Sequence, residues 1–237
     1  MYNPFSLQDK NILVTGASSG IGRAIAIECS RMGARIIITA RNIARLAETL
    51  GFMDNREKHT VIPADLSSKE GMQQLIEGIA GSLDGIVQCA GLTIPKPFQF
   101  YGTDDVEAVM GVNFNAPLVI TQLLLKKKKI AKEASIVFIS SISGVKVSYI
   151  GGSLYSASKG AINGLTKGMA LELAPKKIRV NCVNPGMINT EILSEGTIAS
   201  EQLAEDAKKY PLKRYGEPEE VAYAVVYLLS DASKWVT

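Results

Sequence analysis

Strand-length apolar runs alternate with helix-period segments from one end of the chain to the other, and this alternation narrows the possible folds more than any other feature. NILVT (11–15) is followed by the helical IGRAIAIECSRMG (21–33) and by ARIIITA (34–40). The series continues through HTVIPA (59–64), a helix over 71–80, GIVQC (85–89), a long helical region over 104–129, SIVFIS (135–140), a helix over 154–173 and IRVNCVN (178–184). Six strands separated in this way pair in parallel, because each returns to the sheet only after a crossover. Right-handed crossovers place helices on both faces, so the spacing predicts an α/β fold: a doubly wound parallel sheet in a three-layer α/β/α sandwich. Ligands bind such sheets at the carboxyl ends of the strands, where the winding direction switches. No Pro/Gly/Ser-rich linker or repeat divides the chain. Residues 1–237 therefore read as one domain, with 187–216 as a compact lid lined by Ile188, Ile192, Leu193 and Ile198.

The turn after the first strand, Thr15-Gly16-Ala17-Ser18-Ser19-Gly20-Ile21-Gly22, runs straight into an amphipathic helix. Gly16 permits a tight turn, Gly20 lets backbone amides approach a pyrophosphate, and Gly22 allows close packing of helix on strand; Ser18, Ser19 and Ile21 complete the cradle. With a strand before it, a helix after it and a βαβ unit around it, the loop predicts a dinucleotide site. About twenty residues on, an NAD site offers a carboxylate to the ribose diol. Here the second strand ends in Thr39, Ala40 and Arg41. A guanidinium at that point suits a 2′-phosphate, so NADP(H) is expected over NAD(H), the alternative being an arginine that merely solvates the next helix.

Tyr155 and Lys159 of YSASK lie four residues apart in a helical segment, which stacks them on one face. An ammonium one turn away favours the phenolate, so a tyrosine so placed can act as a general acid or base. Such a pair also occurs as plain surface solvation. Other chemistries find little support. Net charge is +3, from 26 basic and 23 acidic residues, which leaves no overall footprint for nucleic acid. Cys29, Cys89 and Cys182 have no metal-ligand spacing and His59 is the sole histidine, so no metal site, disulfide framework or Ser-His-Asp chemistry is expected. The N-terminal residues do not read as a secretory signal, and no uninterrupted apolar run approaches membrane-spanning length. A cytoplasmic protein without a membrane partner is the expectation.

The glycine loop, a serine upstream of YSASK and the YSASK helix together resemble the short-chain dehydrogenase/reductase family over nearly the whole chain. The resemblance implies a Rossmann-type fold and an enzyme acting on CH–OH/C=O groups with NAD(P). It implies that Tyr155 is the proton donor to a carbonyl and that Lys159 binds the nicotinamide ribose and holds the tyrosine's pKa down. Ser141, the second serine of ISSISG, corresponds to the residue that hydrogen-bonds the substrate oxygen, with Ser140 and Ser143 as alternatives. Asn113 of VNFNAP corresponds to an asparagine that anchors a water in the proton relay. Asp65 of ADLSS, with Leu66 beside it, matches the adenine contact, and Ala90 and Gly91 lie where the backbone approaches the ribose. Asn184-Pro185-Gly186, the Ile188 backbone and Thr190 match the loop that seats the nicotinamide carboxamide. Three departures stand out: Gln88-Cys89-Ala90-Gly91 replaces NNAG, Ser141 and Tyr155 are fourteen positions apart rather than thirteen, and a last strand found in relatives would follow residue 237.

Chain size and the segment PLKRYGEPEEVA (211–222) resemble the 3-oxoacyl-carrier-protein reductase branch. The expected activity is NADP-dependent reduction of a ketone, a 3-oxoacyl thioester being one candidate, to a secondary alcohol. The alternatives are a non-catalytic NAD(P)-binding redox sensor and an NAD-dependent alcohol dehydrogenase of the same family. A run of four lysines at 126–129, with Lys132, Lys176 and Lys177, either docks an acidic acyl carrier protein or complements a helix macrodipole. The resemblance further implies a homotetramer or homodimer.

Overall fold

Six parallel strands form one sheet in the order β3-β2-β1-β4-β5-β6 in a computed structural model that describes residues 2–190 and 200–237. The strands are β1 (Asn11–Thr15), β2 (Arg35–Thr39), β3 (Thr60–Val61), β4 (Leu83–Gln88), β5 (Ile130–Ile139) and β6 (Arg179–Val183). The chain winds outward from β1 through β2 to β3, then crosses back to β4 and winds the other way. The predicted doubly wound sheet and its switch point between β1 and β4 are therefore present. Strand periodicity divides the core. Ile12, Val14, Ile36 and Ile38 face one layer, while Leu13, Ile37, Ile86 and Phe138 face the other.

The first layer is made by α1 (Gly20–Arg31), packed on a late helix running Pro218–Leu229. The second holds α3 (Lys69–Gly78), α5 (Ala116–Lys126) and α6 (Ser153–Leu173), with α4 (Thr103–Met110) packed against α6. Two helices lie outside the sequence reading: α2 (Ile43–Phe52) and the late helix, numbered α8 after a short α7 (Ser200–Ala207). Both carry start signals. Asn42 caps α2 by accepting from Arg45 N, and α8 opens with Pro218 while the Glu220 carboxylate accepts from Glu217 N at 2.8 Å.

The helical region expected over 104–129 is interrupted by a π turn, Gly111–Asn115, between α4 and α5. Pro117 has no N–H to give the Asn113 carbonyl four residues back, so the ladder slips and Ala116 N reaches Gly111 O instead. Taken together, Thr103–Lys126 is long and apolar enough, by length and composition alone, to cross a bilayer, although Asp104, Asp105, Glu107, Asn113, Asn115 and Gln122 interrupt its apolar residues. Here it lies against the sheet, with Ile120 and Leu124 buried in the second layer.

The amino ends of the strands are closed by side chains. Asn11 N donates to Asp84 Oδ2 (2.9 Å) and Ile36 N to His59 Nδ1 (3.1 Å). The Arg179 guanidinium donates to Leu228 O (2.7 Å) and Val236 O (3.2 Å). Lys129 Nζ donates to Ile79 O, where α3 ends.

Candidate active site

At the carboxyl ends the backbone, rather than side chains, sets the shape. Gly16 follows β1 with φ +69°, and a Cβ there would stand 2.7 Å from Ala90 Cα. Gly22 is tighter still, since its Cβ would meet the Gly16 carbonyl oxygen at 2.2 Å. A Cβ at Gly20 (φ +49°) would stand 3.2 Å from Thr190 Cγ2, so the 184–190 segment lies over the cradle. Ser19 is the N-cap of α1, yet its side chain makes no capping bond and the first turn carries no acid. The helix therefore presents uncapped amides and its positive end to the hollow, an arrangement that fits a pyrophosphate. Ser18 shapes the loop through its carbonyl, which accepts from Arg23 at 2.6 Å, and Ile21 packs against the first core layer.

Thr15, the last residue of β1, ties the cradle to the turn after β4. Its hydroxyl accepts from Cys89 N (3.0 Å) and Ala90 N (3.2 Å). Gln88 lies beside it at 3.3 Å and donates on to Thr121. This bracing answers the departure from NNAG, because a threonine hydroxyl holds the turn while Cys89 is half-buried, the pKa of its thiol pushed up to about 12 by desolvation. Sequence reasoning missed Thr15 and Gln88, although a threonine directly before the glycine loop was the available signal.

Arg41 is exposed just past β2, and its charge helps hold the Asp65 carboxylate below its usual range. The larger cause is Ser67, whose N–H and hydroxyl both donate to Asp65 Oδ1, at 3.0 and 2.7 Å. Asp65 thus shapes the turn into α3, whose cap is Ser68. Leu66 turns its side chain into the core.

Asn113 sits in the π turn, 2% exposed, with its amide fully engaged. Nδ2 donates to Leu92 O (2.9 Å) and Ser158 Oγ (3.0 Å), while Oδ1 accepts from Leu92 N (2.8 Å). It fixes the segment after Gly91, where an added Cβ would stand 3.4 Å from both Asn113 Oδ1 and Lys159 Nζ. Lys159 is 5% exposed and donates to Ile139 O at the end of β5 (2.9 Å), with Nζ 5.7 Å from the centre of the Tyr155 ring. An ammonium has three donors, so two remain for a sugar hydroxyl or water.

Three serines compete for the place opposite Tyr155, and their bonds separate them. Ser140 donates to Lys159 O (2.9 Å) and accepts from Asn163 Nδ2 (2.9 Å), so it faces α6 rather than the hollow. Ser143 gives its N–H to Ser141 Oγ (3.1 Å). Ser141 is the one whose hydroxyl acts on the Tyr155 phenol. Burial raises the Tyr155 pKa above its ordinary value, with Ser141 pulling the other way, and burial lowers that of Lys159. The tyrosine's direction is opposite to the one expected from its lysine. Both groups lose water, and the ammonium is bonded to a carbonyl instead of the phenol oxygen.

The segment after β6 crosses the hollow. Pro185 O accepts from Ile142 N (3.0 Å), Gly186 is exposed, and Asn184 Oδ1 faces the Cys182 thiol. Two backbone bonds, Asn189 N to Gly216 O (2.8 Å) and Gly216 N to Met187 O (3.0 Å), join the two ends of the 187–216 segment. Ile188 packs into the first core layer rather than lining a substrate space, because Gly216 offers no side chain and lets it in. Ile192, Leu193 and Ile198 lie outside the described residues. A cavity of about 840 Å³ runs from Gly20 and Thr190 under α7 to Tyr215. The lysines at 126–129 end α5 at the opposite edge of the sheet. Among the described residues no cluster of His, Cys, Asp and Glu has metal-binding geometry.

A model of the short chain dehydrogenase family matches residues 10–200. The chain is 36% identical to a tropinone reductase homolog of Datura stramonium, over 98% of this chain and 90% of that protein. It is 37% identical to the 3-oxoacyl-acyl-carrier-protein reductase FabG of Aquifex aeolicus, over 98% and 94% respectively. Among solved structures, the Pseudomonas aeruginosa RhlG/NADP active-site complex superposes with a TM-score of 0.92 at 30% identity, covering 100% of this chain and 95% of that one.

Proposed function

The chain belongs to the short chain dehydrogenase family, oxidoreductases that act on CH–OH and C=O groups with a nicotinamide cofactor, and from that premise we propose that it reduces a ketone to a secondary alcohol with NADPH, Tyr155 giving the proton. The observation that carries the reading is the convergence of Tyr155, Ser141 and Lys159 at the end of β5, beside a glycine cradle with an uncapped helix N-terminus. A protein that only sensed the cofactor would have no use for an oxygen-binding hydroxyl beside a phenol.

The cradle residues Gly16, Ser18, Ser19, Gly20, Ile21 and Gly22 would hold the pyrophosphate, and Asp65 and Leu66 would border the adenine. Ala90, Gly91 and Lys159 would face the nicotinamide ribose, with Pro185, Gly186, Ile188 and Thr190 along the carboxamide. Arg41 would pair with a 2′-phosphate, a choice supported by its exposure, by the lack of an acid at the end of β2 and by the NADP complex of the RhlG relative. The cofactor, when bound, supplies the hydride.

Negative charge gathers on the substrate oxygen as a ketone is reduced, and two hydroxyls address it. Ser141 donates a hydrogen bond and Tyr155 transfers its proton. The phenolate left behind faces the Lys159 ammonium, which the Ile139 carbonyl holds in place. Asn113 keeps the Leu92 backbone, and with it the ribose side of the hollow, in register. The relatives' names suggest two carbonyl classes, a 3-oxoacyl thioester and a cyclic ketone, and the former suits the branch that the 211–222 segment resembles.

Tyr155→Phe tests the assignment. It should lower kcat for NADPH-dependent ketone reduction by roughly 100- to 10,000-fold while leaving NADPH affinity within about threefold. Turnover unaffected by the substitution would remove Tyr155 as donor. Because burial holds the phenol above its ordinary value, it keeps its proton across about pH 6 to 8. Reduction should be flat there, whereas alcohol oxidation, which needs the phenolate, should rise with pH.

A further inference from the structure

The space before Tyr155 has a second polar rim that the roles above leave unused. Tyr149 lies in the loop that enters α6, with its phenol end seated on Gly152. A Cβ at Gly152 would stand 2.4 Å from Cζ and 2.6 Å from each Cε, so the seat requires glycine. From there the Tyr149 hydroxyl lies 3.5 Å from Thr93 Oγ1. Thr93 in turn follows Leu92, whose backbone Asn113 clamps beside Lys159. The two loops are fastened together, since the Gly151 carbonyl accepts from the Tyr101 hydroxyl (2.7 Å) and from Lys96 N (3.1 Å). Tyr149 is also close enough to Tyr155 to add to the rise in its pKa.

A separation of 3.5 Å exceeds that of a well-made hydroxyl-to-hydroxyl hydrogen bond, roughly 2.5–3.0 Å. Each hydroxyl therefore retains a donor for an incoming acceptor. Val145, Val147 and Ile150 are exposed on the Tyr149 loop, giving the pair an apolar flank.

We propose that Thr93 and Tyr149 form a second oxygen-binding subsite, which selects ketones carrying a hydrogen-bond acceptor a few atoms from the reacting carbonyl. The inference rests on the reading of Tyr155 as proton donor. A ketone with only methylenes at that point would cover two hydroxyls without bonding them, and such a mismatch is what lets a polar site reject an apolar analogue. Tyr149 is 47% exposed, so one hydroxyl is worth about 1 kcal/mol, or roughly fivefold to tenfold in kcat/KM, rather than the larger factors of a sealed pocket.

The test compares ethyl 3-oxobutanoate with 2-heptanone, which has the same chain length and no second oxygen, in the wild type, Tyr149→Phe and Thr93→Val. Tyr149→Phe keeps the ring on Gly152 and should melt with the wild type. It should lose about tenfold in kcat/KM for the ester and less than about twofold for 2-heptanone, and Thr93→Val should shift the ratio the same way by a smaller factor. Equal losses on both substrates would show that Tyr149 acts only through Tyr155 and would overturn the subsite, as would no loss on either. A wild type that binds NADPH but reduces neither ketone would overturn the ketone-reductase reading and the subsite with it. That failure is distinct, because the first two require an active wild type.

Discussion

The two edges of the sheet are built from the same six strands and meet opposite ends. At the amino edge, side chains reach backbone groups and close them off: Asp84 on Asn11, His59 on Ile36, Arg179 on the end of α8, Lys129 on the end of α3. At the carboxyl edge, glycines hold the backbone open, and Ser141, Tyr155 and Lys159 keep part of their bonding capacity turned toward the hollow. In a parallel sheet every strand points the same way, so all the unspent polar capacity collects at one edge and the other is free to be sealed. Stability and chemistry are thereby separated in space. Substitutions at the amino edge should change the first with little effect on the second, and those at the carboxyl edge the reverse.

Arg179→Ala is the strongest way to break that separation. The half-buried guanidinium donates to Leu228 O, Val236 O and, at 3.5 Å, Ser230 O, joining β6 to the end of α8. Ser135 and Ser233 also donate to Leu228 O, so that carbonyl keeps partners when the arginine goes. The substitution should cost about 2–3 kcal/mol in denaturant unfolding, with KM for NADPH and ketone unchanged within about twofold. A comparable loss of kcat without loss of stability would mean that the two edges are coupled through β6.

Arg41→Ala sharpens the carboxyl side. Removing one exposed, charge-assisted contact to a 2′-phosphate should weaken NADPH by about tenfold or more and leave NADH within about twofold, with no change in melting temperature. Titration of each cofactor by its fluorescence reads the ratio. Equal losses for both would show that Arg41 solvates the start of α2 and does not read the phosphate.

The difference between the edges also explains what the sequence disclosed. The cradle was legible because each glycine answers to a backbone clash that no other residue avoids, and such requirements are local. The YSASK pair was legible because helical spacing is local too. The helices α2 and α8 announce themselves by their starts, Asn42 and Pro218, and apolar periodicity does not report such capping signals. The interruption at Gly111–Asn115 needed the consequence of Pro117 to be traced four residues back. Other features were out of reach. The choice among Ser140, Ser141 and Ser143 depends on which one α6 claims, and the meeting of Thr93 with Tyr149 joins residues 56 positions apart through two loops. The direction of the Tyr155 shift depends on burial, which spacing does not report.

The lysines at 126–129 give the smallest expected effect and the clearest contrast between the edges. As a sequence they suggested a dock for an acidic carrier protein. In the fold they end α5 at the amino edge, and β5 begins directly after them, running ten residues to Ile139 before the chain reaches Ser141. The strand bulges early, since Ile130 pairs with Leu83 and Phe138 with Gln88, so it covers about six residue rises along the sheet; at about 3.3 Å per residue it separates the run from the candidate site by roughly 20 Å, more than twice the ~8 Å over which physiological salt screens surface charge. A carrier seated there would hold its thioester at the sealed edge, and one of the four, Lys129, is already committed to the Ile79 carbonyl. Replacing Lys126, Lys127 and Lys128 together with glutamate should therefore change kcat/KM for a 3-oxoacyl thioester, carrier-bound or as a small-molecule mimic, by less than about twofold. A tenfold loss confined to the carrier-bound substrate would restore docking to this edge and show that the sheet's two ends cooperate after all.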